Sequence, residues 1–233
     1  ASNLAKRAQV MNKAAASFKK SSFSKKNSKT LWTFMFWNWK TSPGIYSQKD
    51  ITTSQSVIAC SAAVIKPASM QEKSNKHSNR IFMAVFGYLK PGDHVILSDD
   101  IYGGTFRICE TIFTNINCEF SYIDMSDIEL LEKTIRPSTK MVFVETPTNP
   151  MMKVADIAAV SKVCKAHDLI LVVDNTFLTP YFQKPLLLGA DIVMHSGTKY
   201  LCGHNDVIAG LVITKDTHFS EHFNQICGKT WGI

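Results

Sequence analysis

The residues best suited to chemistry stand together near residue 200. Asp191 to His195 is apolar and β-branched at its centre, which predicts a short buried strand. Ser196, Gly197, Thr198 and Lys199 follow directly. A lysine beside a buried strand is poorly solvated, which favours the neutral amine that a Schiff-base nucleophile needs. The two hydroxyls and the backbone N–H groups of the turn could hold a phosphate. The alternative interpretation is a surface lysine whose ammonium group reaches into solvent.

A carboxylate follows a second buried-strand pattern. Leu169 to Val173 reads LILVV and ends at Asp174. A carboxylate in that position is costly unless it is paired. At the carboxyl ends of parallel strands, Asp174 and Lys199 would face one crevice, where open α/β sheets bind ligands. An aspartate that pairs with a pyridinium nitrogen and a Schiff-base lysine together indicate a pyridoxal-phosphate site.

Four motifs carry a resemblance to a known family. They are YGGT at 102–105, ETPTNP at 145–150, VVDNTF at 172–177 and SGTKYLCGHND at 196–206. In order and spacing they resemble the Cys/Met-metabolism family of pyridoxal-phosphate enzymes, which includes cystathionine synthases and lyases, methionine lyase and homoserine sulfhydrylases. The resemblance covers roughly residues 86 to 215 and not the ends of the chain.

The resemblance implies catalytic roles for Lys199 and Tyr102, and it implies that both of them and Asp174 bind the cofactor. Lys199 would hold the cofactor covalently and then move protons, while Asp174 would keep the pyridine nitrogen protonated. Tyr102, which taken alone would be a packing residue, would stack on the ring and assist proton transfer. The implied reaction is β- or γ-elimination, or γ-replacement, on a sulfur-containing or homoserine-derived amino acid. The intact enzyme would be a homo-oligomer, a dimer or a tetramer.

Three further residues are implied to bind the cofactor. Asn149 lies between two prolines, whose fixed φ angles stiffen its loop, and its amide would hydrogen-bond the phenolic oxygen. Ser196 and Thr198 would bind the phosphate. No metal is expected at the site.

Two family features are not matched between residues 40 and 80. One is the tyrosine–arginine pair that reaches the neighbouring subunit's cofactor phosphate, since Tyr46 is followed by Ser-Gln-Lys. The other is a Ser-Gly-Met turn at a helix start, which should fall near residues 77–79, where the sequence is His-Ser-Asn. The family also has a smaller carboxyl-terminal domain, with the arginine for the substrate carboxylate, that this sequence does not reach. We therefore expect little or no turnover from these 233 residues by themselves.

Composition limits the class of protein. A chain of 233 residues with 45% hydrophobic residues suits one large α/β domain, and its apolar runs are far shorter than the ~20 residues of a membrane span. The six cysteines form no C-x-x-C pair, which indicates reduced thiols and a cytoplasmic protein.

Charge divides the chain into two parts. Residues 1–49 hold ten of the 26 Lys and Arg and no acid, so residues 50–233 carry 16 cations against 19 acids, a net charge of −3. The predicted domain is therefore mildly acidic, which argues against nucleic-acid binding. We divide the chain into a divergent basic leader with a poorly matching segment, 1–80, and an incomplete pyridoxal-phosphate-binding domain, 81–233. If the leader is a transit peptide, the location would instead be an organelle.

Alternation of strands and helices predicts the fold class. Strands at His94–Ser98 and Met141–Val144 alternate with helices from Tyr102 to about Asn115 and from Ala155 to His167. This order is typical of an α/β protein with a mostly parallel sheet and crossover helices, and the resemblance implies the large cofactor domain of the fold-type-I pyridoxal-phosphate transferase fold, without its carboxyl-terminal domain.

Two details of the helices are also predicted. The first helix should bury one face formed by Phe106, Cys109, Ile112 and Phe113. Ser126 followed by Glu129 predicts a capping box before the next helix.

Two other classes of function stay open at this point. One is a non-catalytic remnant of the same family that keeps only the cofactor domain. The other is a zinc hydrolase, because His218, Glu221 and His222 match the H-x-x-E-H pattern on a predicted helix beginning near Thr217.

Overall fold

The structure, a computed structural model, describes residues 56–58, 64–65, 75–201, 203 and 207–226. The basic leader and Tyr46 lie outside these residues, as do the side chains of residues 77–79. None of the described helices is long and apolar enough to cross a membrane.

Nine strands are described, and seven of them form one mixed sheet. In chain order the strands are β1 Ser56–Ile58, β2 Val64–Ile65, β3 His94–Ser98, β4 Glu119–Ile123, β5 Thr139–Glu145, β6 Ile170–Asp174, β7 Ile192–Ser196, β8 Val207–Ile208 and β9 Gly210–Thr214. The order in the large sheet is β1-β9-β7-β6-β5-β3-β4, and β2 and β8 pair separately. Strands β3 to β7 pair in parallel with one another, whereas β9 is antiparallel to β7 and β1 is antiparallel to β9. The predicted mostly parallel sheet is confirmed.

Six α-helices accompany the strands in the described ranges. They are α1 Asn75–Phe86, α2 Gly103–Ile108, α3 Ile128–Thr134, α4 Ile157–Ala166, α5 Thr179–Phe182 and α6 Thr217–Asn224. Helix α2 continues as a π-helical turn, Cys109–Phe113, and a 3₁₀ turn, Thr114–Ile116, so the predicted helix to about residue 115 is confirmed. The crossovers α3 and α4 join parallel strands, as a parallel sheet requires.

Helices cover both faces of the sheet. One apolar cluster joins residues of α1, α2 and α6 to alternate strand residues such as Met141 and Phe143, and the other joins α3 and α4 to Val142 and Val144. The alternation follows from the two-residue period of a strand. Phe86 of α1 is fully buried in the first cluster, where its ring stacks on that of Phe143 with centroids 5.5 Å apart.

Two local predictions were wrong. Phe106 and Ile112 are exposed, because the buried face of this helix consists of Thr105, Ile108, Cys109 and Phe113. The π-helical turn holds one residue more than an α-turn, which rotates Ile112 away from the predicted stripe.

The other error concerns the start of α3. Its N-cap is Asp127, which accepts a hydrogen bond from the Leu130 backbone N–H at 2.9 Å. Ser126 instead donates its hydroxyl to Asp124 at 2.7 Å. Aspartate caps a helix as well as serine does, so the cap falls one residue later than predicted.

Candidate cofactor site

The last residues of four neighbouring parallel strands define one edge of the sheet. Glu145 ends β5, Asp174 ends β6 and Ser196 ends β7, and the Glu145 backbone N–H donates to the Ser98 hydroxyl at the end of β3. Glu145 and Asp174 are direct partners in the sheet register. The predicted common edge for Asp174 and the segment after β7 is therefore present, at the position where α/β sheets bind ligands.

Asp174 is a buried carboxylate with one occupied oxygen. Its Oδ1 accepts from the Thr176 backbone N–H at 3.0 Å and from the Thr176 hydroxyl. Among the described residues no donor hydrogen-bonds Oδ2, and none forms an ion pair with Asp174. Burial raises the pKa of Asp174 above its usual range, although the two bonds from Thr176 oppose the rise. The carboxylate is thus held in one orientation, and the described residues provide it with no counter-charge.

Thr176 links the ends of two strands. Its hydroxyl donates to Asp174 and accepts the Ser196 backbone N–H at 2.8 Å. Thr176 was not predicted as a site residue, although a residue two positions after an aspartate is the usual partner of such a side chain in a turn. Through Thr176 the orientation of Asp174 depends on the start of the turn that carries Lys199.

Tyr102 stands at the start of α2, next to Glu145. Its backbone N–H donates to Glu145 Oε2 at 2.8 Å, and its side chain is 42% exposed. The Tyr102 ring lies over Gly104, where an added Cβ would overlap it. The main chain of Tyr102 is therefore fixed, while its ring lies against Gly104 and stays partly exposed.

Glu145 begins the ETPTNP motif but was not predicted as a site residue. It is 6% exposed, and burial together with the Asp174 charge raises its pKa to about 8. The backbone N–H groups of Tyr102 and Asn149 oppose that rise. The sequence does contain a signal for this residue, because a carboxylate after a buried strand needs a partner at Glu145 just as it does at Asp174.

Lys199 lies in the helical turn Gly197–Leu201 that follows β7. Its backbone departs from helical geometry, with φ −89° and ψ −124°, and its side chain is exposed. The expectation of a poorly solvated lysine is wrong for this structure, because Lys199 comes three residues after the end of the strand and points away from the core. The alternative of a solvent-facing lysine describes its surroundings better.

The predicted phosphate-binding hydroxyls differ in their surroundings. Both residues are half-buried. The Thr198 hydroxyl already has partners, because it donates to the Ala209 carbonyl oxygen at 3.2 Å and accepts from the Ala209 N–H at 3.1 Å. Donation from Thr198 to a phosphate would replace its bond to the carbonyl. Gly197 packs directly against Ala209, where a Cβ would come within 2.9 Å.

Asn149 is exposed on the loop after β5. That loop is tied to the end of β3 by Asp100, whose Oδ2 accepts from the Thr148 hydroxyl at 2.6 Å and the Met151 N–H at 2.8 Å. Asn149 therefore stands on an anchored loop beside the same sheet edge, with its side chain accessible to a ligand.

The H-x-x-E-H residues on α6 are engaged in packing. The rings of His218 and His222 stand edge-on to Tyr88, and His218 Nε2 is 3.1 Å from the Tyr88 hydroxyl. In the part of the chain that the structure describes, no three His, Cys, Asp or Glu side chains are grouped so that they could hold a metal. The geometry gives the zinc alternative no support.

Comparison with known proteins identifies the family. Residues 6–232 match the family described as Cys/Met metabolism PLP-dependent enzyme, and the chain belongs to that family. This confirms the family resemblance and the pyridoxal-phosphate dependence that it implied.

Two relatives from Bacillus subtilis (strain 168) illustrate the extent of the match. The chain is 47% identical over 150 residues to a cystathionine gamma-lyase, covering 64% of this chain and 40% of the relative. It is 53% identical over 143 residues to a cystathionine gamma-synthase/O-acetylhomoserine (thiol)-lyase, covering 61% and 38%. The chain therefore spans about two fifths of the length of these relatives.

A solved structure supports the fold. The cystathionine gamma-lyase from Lactobacillus plantarum complexed with L-serine superposes with a TM-score of 0.65 at 44% identity, covering 67% of this chain and 41% of that one. The α/β fold is thus shared with a member of the family whose sequence is also closely related.

Proposed function

We propose that the protein containing this chain is a pyridoxal-phosphate-dependent trans-sulfuration enzyme. It would catalyse β/γ-elimination or γ-replacement on a sulfur-containing or homoserine-derived amino acid. The observation that supports this most directly is Asp174, a buried carboxylate whose Oδ2 lacks a donor among the described residues. A protonated pyridine nitrogen is the partner that such an oxygen needs.

Each proposed site residue would act on a different part of the cofactor. Lys199 would hold it through its amine, Asp174 would keep a proton on the ring nitrogen, and Tyr102 would lie against the ring. When bound, pyridoxal phosphate supplies an electron sink for a carbanion. The amine of Lys199, once displaced from the cofactor by the substrate, would move a proton at the substrate carbon.

Three residues would complete cofactor binding. Asn149 would donate its amide to the phenolic oxygen from the anchored loop. Ser196 and Thr198 would donate to the phosphate at the end of β7, with Thr198 exchanging its present bond to Ala209. The backbone of Ser196 at the end of β7 is already fixed by the bond from its N–H group to Thr176, which limits the reorganisation that binding requires.

Borohydride reduction tests the proposed attachment. After incubation of the purified protein with pyridoxal phosphate, reduction and peptide mapping should place the pyridoxyl label on Lys199. Pyridoxal phosphate bound to a lysine is yellow, and Lys199→Arg should abolish both this colour and the label. Lys140 is an exposed lysine on β5, and Lys140→Arg should change neither. Label on another lysine would contradict the assignment, and no stable label on a folded protein would favour the non-catalytic alternative.

We also propose a cytoplasmic homo-oligomer. Cys109, Cys118 and Cys164 are buried free thiols, as suits a reducing compartment. Burial raises the pKa of Cys109 to about 12 and also that of Cys164 to about 12, so neither thiol is poised to react.

A further inference from the structure

We propose that Tyr102 is positioned by two residues: Glu145, which holds its main chain, and Gly104, which leaves the space in which its ring lies. The proposal deepens the proposed function, because Tyr102 is the residue expected to contact the cofactor ring. Neither Glu145 nor Gly104 is among the residues proposed to contact the cofactor.

The sheet register directs Glu145 toward Tyr102. Glu145 follows Met141 and Phe143 at two-residue intervals, and both of these face the apolar cluster that includes α2. Its side chain therefore points to the same face as α2, whose N-cap is Tyr102. The resulting bond joins residues 43 apart in sequence, from Tyr102 N–H to Glu145 Oε2 at 2.8 Å.

A polar side chain is needed at this position. The first N–H groups of a helix have no partner within it, and Tyr102 has no side-chain cap of its own. Glu145 supplies an acceptor in a place where water has little access, since the residue is 6% exposed. The Asn149 N–H acts on the same carboxyl, so Glu145 connects the loops after β3 and β5 beside its register partner Asp174.

Gly104 controls the ring rather than the main chain. An added Cβ at residue 104 would overlap the Tyr102 ring, whereas a Cβ at Gly103 would meet nothing within 4 Å. Both glycines lie in the first turn of α2, so the two alanine variants form a matched pair. Because the obstructing atoms belong to the end of a side chain, the ring can move aside without unfolding the protein.

Neighbouring acidic groups contribute to the raised pKa of Glu145. The charged groups that act on its carboxyl are Asp174 on β6 and Asp100 after β3, and both disfavour ionisation. Glu145 thus acts at neutral pH as a carboxylic acid that still accepts the Tyr102 N–H.

The experiment uses ¹⁹F NMR of the cofactor-free purified protein with its six tyrosines replaced by 3-fluorotyrosine, and Tyr102→Phe identifies the resonance. Gly104→Ala should shift this signal by more than its linewidth, and Gly103→Ala should leave it in place. Glu145→Ala should shift or broaden it, whereas Glu145→Gln, which keeps the acceptor, should retain its position near neutral pH. In the parent protein the signal should also titrate near pH 8, and in Glu145→Gln it should not.

Added pyridoxal phosphate separates the two proposals. If the ligand shifts the Tyr102 signal, Gly104→Ala and Glu145→Ala should weaken binding about tenfold and Gly103→Ala should not. If the ligand leaves the signal unchanged while the four variants behave as expected, positioning holds and the cofactor role of Tyr102 fails. An unmoved signal in both Gly104→Ala and Glu145→Ala, or equal shifts in Gly103→Ala and Gly104→Ala, would overturn the positioning proposal.

Discussion

Asp174 and Glu145 are chemically similar side chains placed side by side, yet their partners give them different properties. Asp174 receives both of its hydrogen bonds on one oxygen from Thr176. Glu145 receives its bond from a different loop, through Tyr102. Because two adjacent buried carboxyls cannot both ionise at low cost, ionisation of one raises the pKa of the other.

Asp174→Asn should stabilise the cofactor-free protein while weakening the cofactor complex. The raised pKa of Asp174 means that ionisation costs folding free energy, and this cost develops as pH rises above about 3.8, the ordinary value. Asparagine keeps the acceptor for Thr176 and removes the charge. We expect a free energy of unfolding higher by about 1–3 kcal/mol near neutral pH, measured by urea denaturation, together with a higher Kd for pyridoxal phosphate.

The control for this prediction is Asp191→Asn. Asp191 accepts from the Leu171 N–H at the opposite end of β6 at 2.8 Å, so its replacement should leave the cofactor Kd unchanged. Equal losses of cofactor affinity in the two variants would mean that both aspartates are purely structural.

Glu145→Gln should change the pH dependence of stability. A carboxyl whose pKa rises from 4.5 to about 8 on folding stabilises the protein below pH 4.5, and that contribution is lost as pH rises toward 8. The variant lacks the titrating group, so its free energy of unfolding should exceed that of the parent by an increasing amount, with a slope of up to about 1.4 kcal/mol per pH unit. The measurement is a set of denaturation curves collected at several pH values. If Glu145 were instead ionised throughout this range, the difference in free energy of unfolding between variant and parent would stay constant.

Among the secondary-structure elements, α3 offers a direct test of what caps a helix. Asp127→Ala should lower the free energy of unfolding by about 1 kcal/mol, because the Leu130 N–H loses its acceptor. Ser126→Ala should cost less, since Ser126 is exposed and bonds only within its own turn. Thermal unfolding of both variants would contradict the assignment if Ser126→Ala were the more destabilised.

Strands were predicted better than the contacts between them. An uninterrupted apolar run such as Ile170–Val173 predicts a strand that is buried on both faces, so these strands can be recognised from the sequence. The π-helical turn at Cys109–Phe113 was not visible, because one extra residue leaves no mark in a hydrophobic pattern. Asp174 could be predicted as a site residue because it directly follows such an apolar run. Its orientation could not, because Thr176, which holds it, is itself fixed by the Ser196 N–H group, 20 residues later in the chain.

At the scale of the whole molecule, the exposed apolar residues around α5 are where we expect the proposed homo-oligomer to associate. Phe182 is 77% exposed, and Tyr181, Leu187 and Leu188 are also exposed. We expect Phe182→Asp to lower the mass measured by light scattering if the protein is the proposed homo-oligomer. Ile116→Asp, at an exposed residue at the end of the helix begun by α2, should leave the mass unchanged, and a similar effect of both variants would count against α5 as the interface.

The bond between Tyr102 and Glu145 has a consequence for the order of folding. It spans 43 residues, and its two partners come together only when β3 and β5 have paired in parallel. Non-local parallel pairing forms slowly compared with helices, whose contacts are local. Cofactor affinity should therefore arise late in refolding, after most of the helical circular dichroism has returned, so that cofactor capture would report the completed sheet edge.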